Sequence, residues 1–283
     1  QVFIGRGRDV MVTDALERKL YIIRKACGHA IRALHLAHGK EFYVPSMSTR
    51  TLCYKGMLLA HQVGSYFRDL RDEGMVSALA LVHQRFSTNT LPQWRLAHPF
   101  RLLAHNGEIN TVAGNRNWAL ARGPVLRSPM LPELHEVLPL VSMTGSDSQS
   151  LDNMLEVLLM GGLDVMHALR LLVPPAWQSV DTIDPDLRAF YEFYAPHMEP
   201  WDGPAGIVTT DTAAVHTAHR GMGLVQDVFS PEVIAGLRGD VAIGHVRYST
   251  AGGSFRYPSR ILSPFWGFIG VWGAATNPLR NLT

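Results

Sequence analysis

Three polar clusters hold the residue types that could do chemistry: His83-Gln-Arg-Phe-Ser-Thr-Asn-Thr90, His105-Asn-Gly-Glu-Ile-Asn110 and Gly145-Ser-Asp-Ser-Gln-Ser150. They supply a fixed positive charge at Arg85, an amide beside a glycine at Asn106-Gly107, and an isolated carboxylate at Asp147. Arg85, followed by Ser87, Thr88 and Asn89, can hold a carboxylate through a bidentate pair, or can be a structural arginine paired to an Asp. Asn106 and Gly107 can aim a side-chain amide and a backbone N–H at one point, which makes an oxyanion hole. The same dipeptide can be a plain turn joining two strands. Asp147 can bind an ammonium group or can be the N-cap of the following helix, and both roles can hold if Ser146 or Ser148 caps and Asp147 stays free. Together these groups suit a pocket for a small zwitterion whose reacting carbonyl needs an oxyanion hole.

No obvious nucleophile lies beside them. Cys27 falls mid-helix on the apolar face and reads as a buried, inert thiol, as does Cys53 in Thr51-Leu-Cys-Tyr54. His35/His38 and His216/His219 have tolerable metal spacing but no carboxylate or cysteine companion, so no metal is expected. Gly5-Arg-Gly7 lacks the strand and third glycine of a dinucleotide site.

The elements that must position these groups follow from periodicity. Asp14 to Leu34 carries Leu16, Leu20, Ile23, Cys27, Ile31 and Leu34 at helical spacing. Glu41 to Val44 and Arg50 to Tyr54 read as short strands, and Lys55 to Phe67 as a helix. Ser77 to Phe86 reads as a strand buried on both faces that delivers Arg85, and Phe100 to Ala104 as a second that delivers Asn106. Helices are expected after Gly145-Ser-Asp up to Gly161-Gly162, over Asp164 to Leu172, and over Asp186 to Tyr194. Ala205 to Asp211, Val215 to His219 and Asp240 to Arg247 read as strands. Phe255 to Thr283 has no sustained periodicity.

A chain of 283 residues with 47% hydrophobic content can bury a sizeable core in one large domain or two smaller ones. A formal charge of +2 makes no electrostatic case for nucleic acid or an anionic membrane. No apolar run reaches the roughly 20 residues that span a bilayer. The start has no signal-peptide core and no initiator Met, so the expectation is a cytoplasmic segment of something longer.

Read jointly, these segments resemble the glutaminase domain of the glutamate synthase large subunit, a class II glutamine amidotransferase. The motifs that carry the resemblance include Tyr54-Lys-Gly-Met-Leu-Leu-Ala60, the two clusters at His83 and His105, Ala97-His-Pro-Phe-Arg101, Gly145-Ser-Asp-Ser148 and Met198-Glu-Pro-Trp-Asp-Gly203. The resemblance implies an α+β fold, the N-terminal-nucleophile hydrolase αββα sandwich, truncated at its N-terminus. It implies that Arg85 holds the α-carboxylate of glutamine, Asp147 its α-ammonium, and that Asn106 and Gly107 form the oxyanion hole. Glutamine would be cut to glutamate and ammonia through a thioester, and the ammonia would react with 2-oxoglutarate in a flavin domain. No cofactor is implied for this segment; FMN and an iron–sulfur cluster are implied for the full-length enzyme. The implied partners are glutamine, the remaining glutamate synthase domains and a small subunit or ferredoxin, with no nucleic acid and no membrane.

The family's nucleophile is an N-terminal cysteine expected upstream of Gln1, so the isolated chain is expected to be inactive. Residues 205–253, with His245-Val-Arg-Tyr-Ser-Thr250 echoing the Arg85 cluster, instead resemble the glutaminase part of amidophosphoribosyltransferase. The expected organisation is therefore 1–204, 205–253 and an unassigned tail, 254–283. A non-catalytic glutamine-binding pseudo-enzyme or a chimeric fragment is the alternative, and a purine-pathway glutaminase a further one.

Overall fold

The computed structural model describes residues 2–8, 10, 12–77, 80–83 and 92–209, with the backbone alone of Val271–Ala274. The chain divides into two compact units, residues 1–52 with 108–203 and residues 53–107 with 204–283.

The first unit is helical. Helix α1 (Thr13–Ala33) buries Leu16, Leu20 and Tyr21. Its buried stripe then runs through Arg24 and Gly28, which leaves Leu34 and Cys27 exposed. The expected buried Cys27 is thus corrected: at 100° per residue it stands off the stripe that Arg24 and Gly28 define. The strand expected at Glu41 to Val44 is absent; a 3₁₀ turn, Gly39–Glu41, leads into irregular backbone. Farther along, the Glu17 carboxylate accepts from the Thr49 N–H (2.6 Å) and the Ser48 hydroxyl (2.9 Å), which ties this segment to α1.

Helices α3 (Val112–Arg122), α4 (Asp147–Met160), α5 (Val165–Leu172) and α6 (Pro185–Tyr194) complete this unit. Each of the last three begins on a side-chain cap: Ser146, Asp164 and Asp184 accept from backbone N–H groups in the first turn. Leu151, Met154, Leu155, Leu172 and Trp201 are all but sealed from solvent. At roughly 1.5–3 kcal/mol for each large apolar side chain, that core outweighs any single polar contact in the unit. Buried within it is one ion pair, Arg24 to Glu156, with side chains 6% and 10% exposed.

The second unit holds β2 (Leu103–Gly107) and β3 (Ala205–Thr209), paired antiparallel with Leu103 opposite Thr209 and Gly107 opposite Ala205. Leu103 and Phe100 are fully buried, and the Thr209 hydroxyl donates to the Leu102 carbonyl (2.7 Å). A further two-stranded sheet pairs β1 (Thr51–Tyr54) with β4 (Val271–Ala274). Helix α2 (Ala60–Tyr66) is shorter than the helix expected over Lys55 to Phe67. Lys55 lies outside it, donating to the Ala97 carbonyl (2.8 Å).

Of the strand expected over Ser77 to Phe86, Ser77 makes a β bridge, and residues 78–79 and 84–86 lie outside the described residues. Ser77 and Ala80 are exposed, and residues 80–83 have no regular structure. Arg85 itself, the strands expected at Val215 to His219 and Asp240 to Arg247, and the amidophosphoribosyltransferase-like motifs after residue 209 lie outside the described residues.

Candidate functional site

Strand β2 changes from buried to exposed as it reaches Asn106, with Leu103, Ala104 and His105 buried and Asn106 and Gly107 open. The dipeptide is not a hairpin turn. Both residues remain in the ladder, opposite Gly206 and Ala205. Gly107 has φ +151°, and a Cβ there would stand closer than 3.0 Å to the Pro204 carbonyl oxygen. Only glycine fits this approach of two backbones, and the Asn106 amide is presented at the strand end where it occurs.

Beneath the strand end lies a histidine group. The His83 and His98 rings stand 5.0 Å apart, and His98 packs edge-on against Phe100 at 4.7 Å. The His105 backbone N–H donates to His98 Nδ1 at 3.5 Å. Burial lowers the His83 pKa from 6.5 to about 4. His98 is pushed further down, first by burial and then by its neighbours His83, His105 and Lys55. Both rings are neutral near pH 7.

In the helical unit, the turn Gly145–Ser150 leads into α4. Ser146 caps the helix through the Gln149 N–H (3.1 Å), which leaves the Asp147 carboxylate for other work. One Asp147 oxygen accepts from the Ser148 N–H (2.7 Å), and the other from the Ile109 N–H (2.8 Å). The Ile109 contact joins Asp147 to the segment just beyond Gly107 in sequence.

Arg116, on α3, is the participant that motif reading missed. Its Nη2 donates to the carbonyls of Gly145 (2.6 Å) and Ser146 (3.2 Å), and its Nε to the Ser150 hydroxyl (3.0 Å). Nothing in its sequence neighbourhood marks it, because its partners lie a helix and a long loop away.

The segment Met198–Gly203 is stitched to residues 108–115. The Asp202 carbonyl accepts from the Asn110 N–H (2.8 Å), and the Asn115 amide donates to the Pro200 carbonyl (2.9 Å). Gly203 has φ +154°, and a Cβ on it would collide with the Glu108 carbonyl oxygen. Glycine is therefore required at both Gly107 and Gly203. Neither cysteine is placed for catalysis beside these groups in its own unit: Cys27 lies on the exposed face of α1, and the Cys53 thiol contacts the Pro99 carbonyl at 3.6 Å. Among the described residues no three His, Cys, Asp or Glu side chains cluster as metal ligands would.

The family model described as "Glutamine amidotransferases class-II" matches residues 1–224. The glutamate synthase [NADPH] large chain of Bacillus subtilis is 46% identical over 212 residues, which is 75% of this chain and 14% of that protein. The glutamate synthase [NADH] of Schizosaccharomyces pombe is 47% identical over 197 residues, 68% of this chain and 9% of its own length. The chloroplastic ferredoxin-dependent glutamate synthase of Oryza sativa subsp. japonica is 41% identical over 219 residues, 76% and 13% of the two chains. The chain thus spans a small fraction of the length of these relatives. A family match over most of the chain, together with relatives above 40% identity, shows that it belongs to the class-II glutamine amidotransferases.

Proposed function

We propose that this chain is the glutaminase part of a glutamate synthase, cutting glutamine to glutamate and ammonia for reductive transfer to 2-oxoglutarate. The observation that supports this most is the identity of 46% and 47% to two glutamate synthases across regions that contain Asn106-Gly107 and Asp147. In this reading the Asn106 side-chain amide and the Gly107 N–H accept the negative charge that forms on the amide oxygen of glutamine when a thiolate attacks its carbon. Donors held in place before reaction stabilise that charge without reorganising, which is worth about 3 kcal/mol for each donor. Ammonia leaves, and water then cleaves the thioester to glutamate. Asp147 pairs with the α-ammonium and Arg85 with the α-carboxylate.

The glutaminase-like stretch is taken as 1–204, with 205–253 as the segment of second resemblance and 254–283 as a tail. FMN and an iron–sulfur cluster belong elsewhere in this scheme. The two cysteines cannot fill the four-thiolate ligand set of such a cluster. The partners are the remaining synthase domains, with a small subunit or ferredoxin as electron source. The names of the relatives carry NADPH, NADH and ferredoxin, so the donor is not assigned. No helix among the described residues is long and apolar enough to cross a membrane.

Calorimetric titration with L-glutamine tests the reading. Asp147→Asn is expected to weaken binding roughly tenfold or more, the loss of one charge-assisted contact. Asn106→Ala is expected to change affinity only about twofold, because its donor acts chiefly on the transition state. Equal affinity of wild type and Asp147→Asn would remove the assignment.

A further inference from the structure

We propose that Arg116 is a positioning residue for ammonium recognition: its guanidinium fork holds the Gly145–Ser146 backbone so that Asp147 faces the α-ammonium of glutamine. The inference rests on the reading of Asp147 just given, and extends it to a residue on another helix.

The geometry is specific. The fork makes contacts of 2.6 and 3.2 Å to two successive carbonyls, and a third of 3.0 Å to Ser150 Oγ in the first turn of α4. Ser150 is fully buried, and its hydroxyl in turn donates to the Ser142 carbonyl at 2.8 Å, so the anchor is itself fixed. Asp147 sits between the gripped carbonyls and the gripped hydroxyl in sequence. Its backbone therefore cannot turn without breaking a contact of Arg116.

The electrostatics argue against a purely structural arginine. A helix N-terminus carries partial positive charge and favours anions, so a guanidinium placed at the start of α4 is on the wrong side of the dipole. Burial also works against its charge, and the nearby Asp147 carboxylate opposes that effect. An arginine kept there despite both costs serves the turn it grips. Lysine cannot reproduce the planar fork that serves three acceptors.

The test compares two ligands on the intact chain: L-glutamine and glutaramic acid, the same molecule without its α-amine. Calorimetry gives the ratio of the two dissociation constants, with thermal midpoints measured alongside. For wild type the ratio is expected to favour glutamine by roughly tenfold or more. Arg116→Gln is expected to bring it down to about twofold while affinity for glutaramic acid changes little, and Arg116→Lys to recover part of the preference. An arginine that only stabilises the fold would lower the thermal midpoint and leave the ratio intact, which overturns the proposal. If Arg116→Gln does not fold, Arg116→Lys carries the test: a ratio unchanged from wild type overturns it. A wild type that does not discriminate between the ligands defeats the Asp147 reading and this inference together. Discrimination that survives in the Arg116 variants defeats this inference alone.

Discussion

At the end of β2, Asn106 and Gly107 are placed by backbone: a ladder with β3 and a glycine pressed against the Pro204 carbonyl. At the start of α4, Asp147 is placed by side chains: the Ser146 cap, the Arg116 fork, and a bond from the Ile109 N–H. The first arrangement tolerates no added atom yet leaves the Asn106 side chain unconstrained by packing. The second tolerates shape changes, but depends on a chain of polar contacts in which each member holds the next. A backbone device suits donors that must not move as charge develops. A side-chain device suits recognition of a charged group, whose strength can be adjusted residue by residue.

The largest expected effect comes from the core behind the side-chain device. Arg24 and Glu156 form an ion pair buried between α1 and α4. Arg24→Met leaves an uncompensated carboxylate, and is expected to cost about 4 kcal/mol in a urea titration. The double variant Arg24→Met with Glu156→Met is expected to recover most of that loss, because the desolvation cost disappears with the second charge. A double variant as unstable as the single would show that packing, not charge, governs this contact.

Gly107→Ala attacks the backbone device directly. The added methyl meets the carbonyl oxygen of Pro204, the residue just before β3, so the backbones must part. A loss of about 3 kcal/mol is expected. Asn106→Ala, one position earlier and exposed, is expected to change stability by less than about 0.5 kcal/mol. Similar losses for the two would erase the contrast between the regions.

The same contrast decides what could be read in the sequence. The α4, α5 and α6 helices were legible because their caps and stop signals are local: Ser146, Asp164 and Asp184 at the starts, Gly161-Gly162 at the end of α4. Asn106 was legible as close to a strand end, but the strand expected over Phe100 to Ala104 runs instead over Leu103–Gly107 and keeps Asn106 within the ladder. Helix α3 escaped because Gly114 and the polar residues Asn115, Arg116 and Asn117 blunt its apolar stripe. Arg116 escaped with it, since its value lies wholly in partners distant along the chain. Cys27 was misread where Tyr21, Arg24 and Gly28, rather than the regular apolar series, defined the buried face of α1.

Acid separates the regions without mutation. His83 and His98 hold pKa values below the ordinary 6.5, His83 at about 4, so the folded state resists protons that the unfolded chain accepts. The His83 contribution is complete above pH 6.5 and is lost as pH falls through the window down to about 4, and that of His98 is lost on the same acid side. The urea midpoint is therefore expected to drop between those values. His83→Gln should flatten the slope near pH 5 by up to about one proton. An unchanged slope would mean that His83 does not contribute to acid stability.

The smallest effect bears on how α4 begins. Ser146→Ala removes the hydroxyl that accepts from the Gln149 N–H, and a lost cap costs about 1 kcal/mol. The Ser146 carbonyl remains, and with it the contact to Arg116 and the hold on Gly145. If the fork sets the turn, Ser146→Ala lowers the midpoint by that amount while the preference for glutamine over glutaramic acid survives. If the cap sets it, the preference falls together with stability. Asp164→Ala, which removes the cap of α5, is the matched control: it should cost a similar amount and leave ligand preference untouched. Only a turn held twice, once by its own hydroxyl and once by an arginine from α3, can lose its cap and keep Asp147 in place.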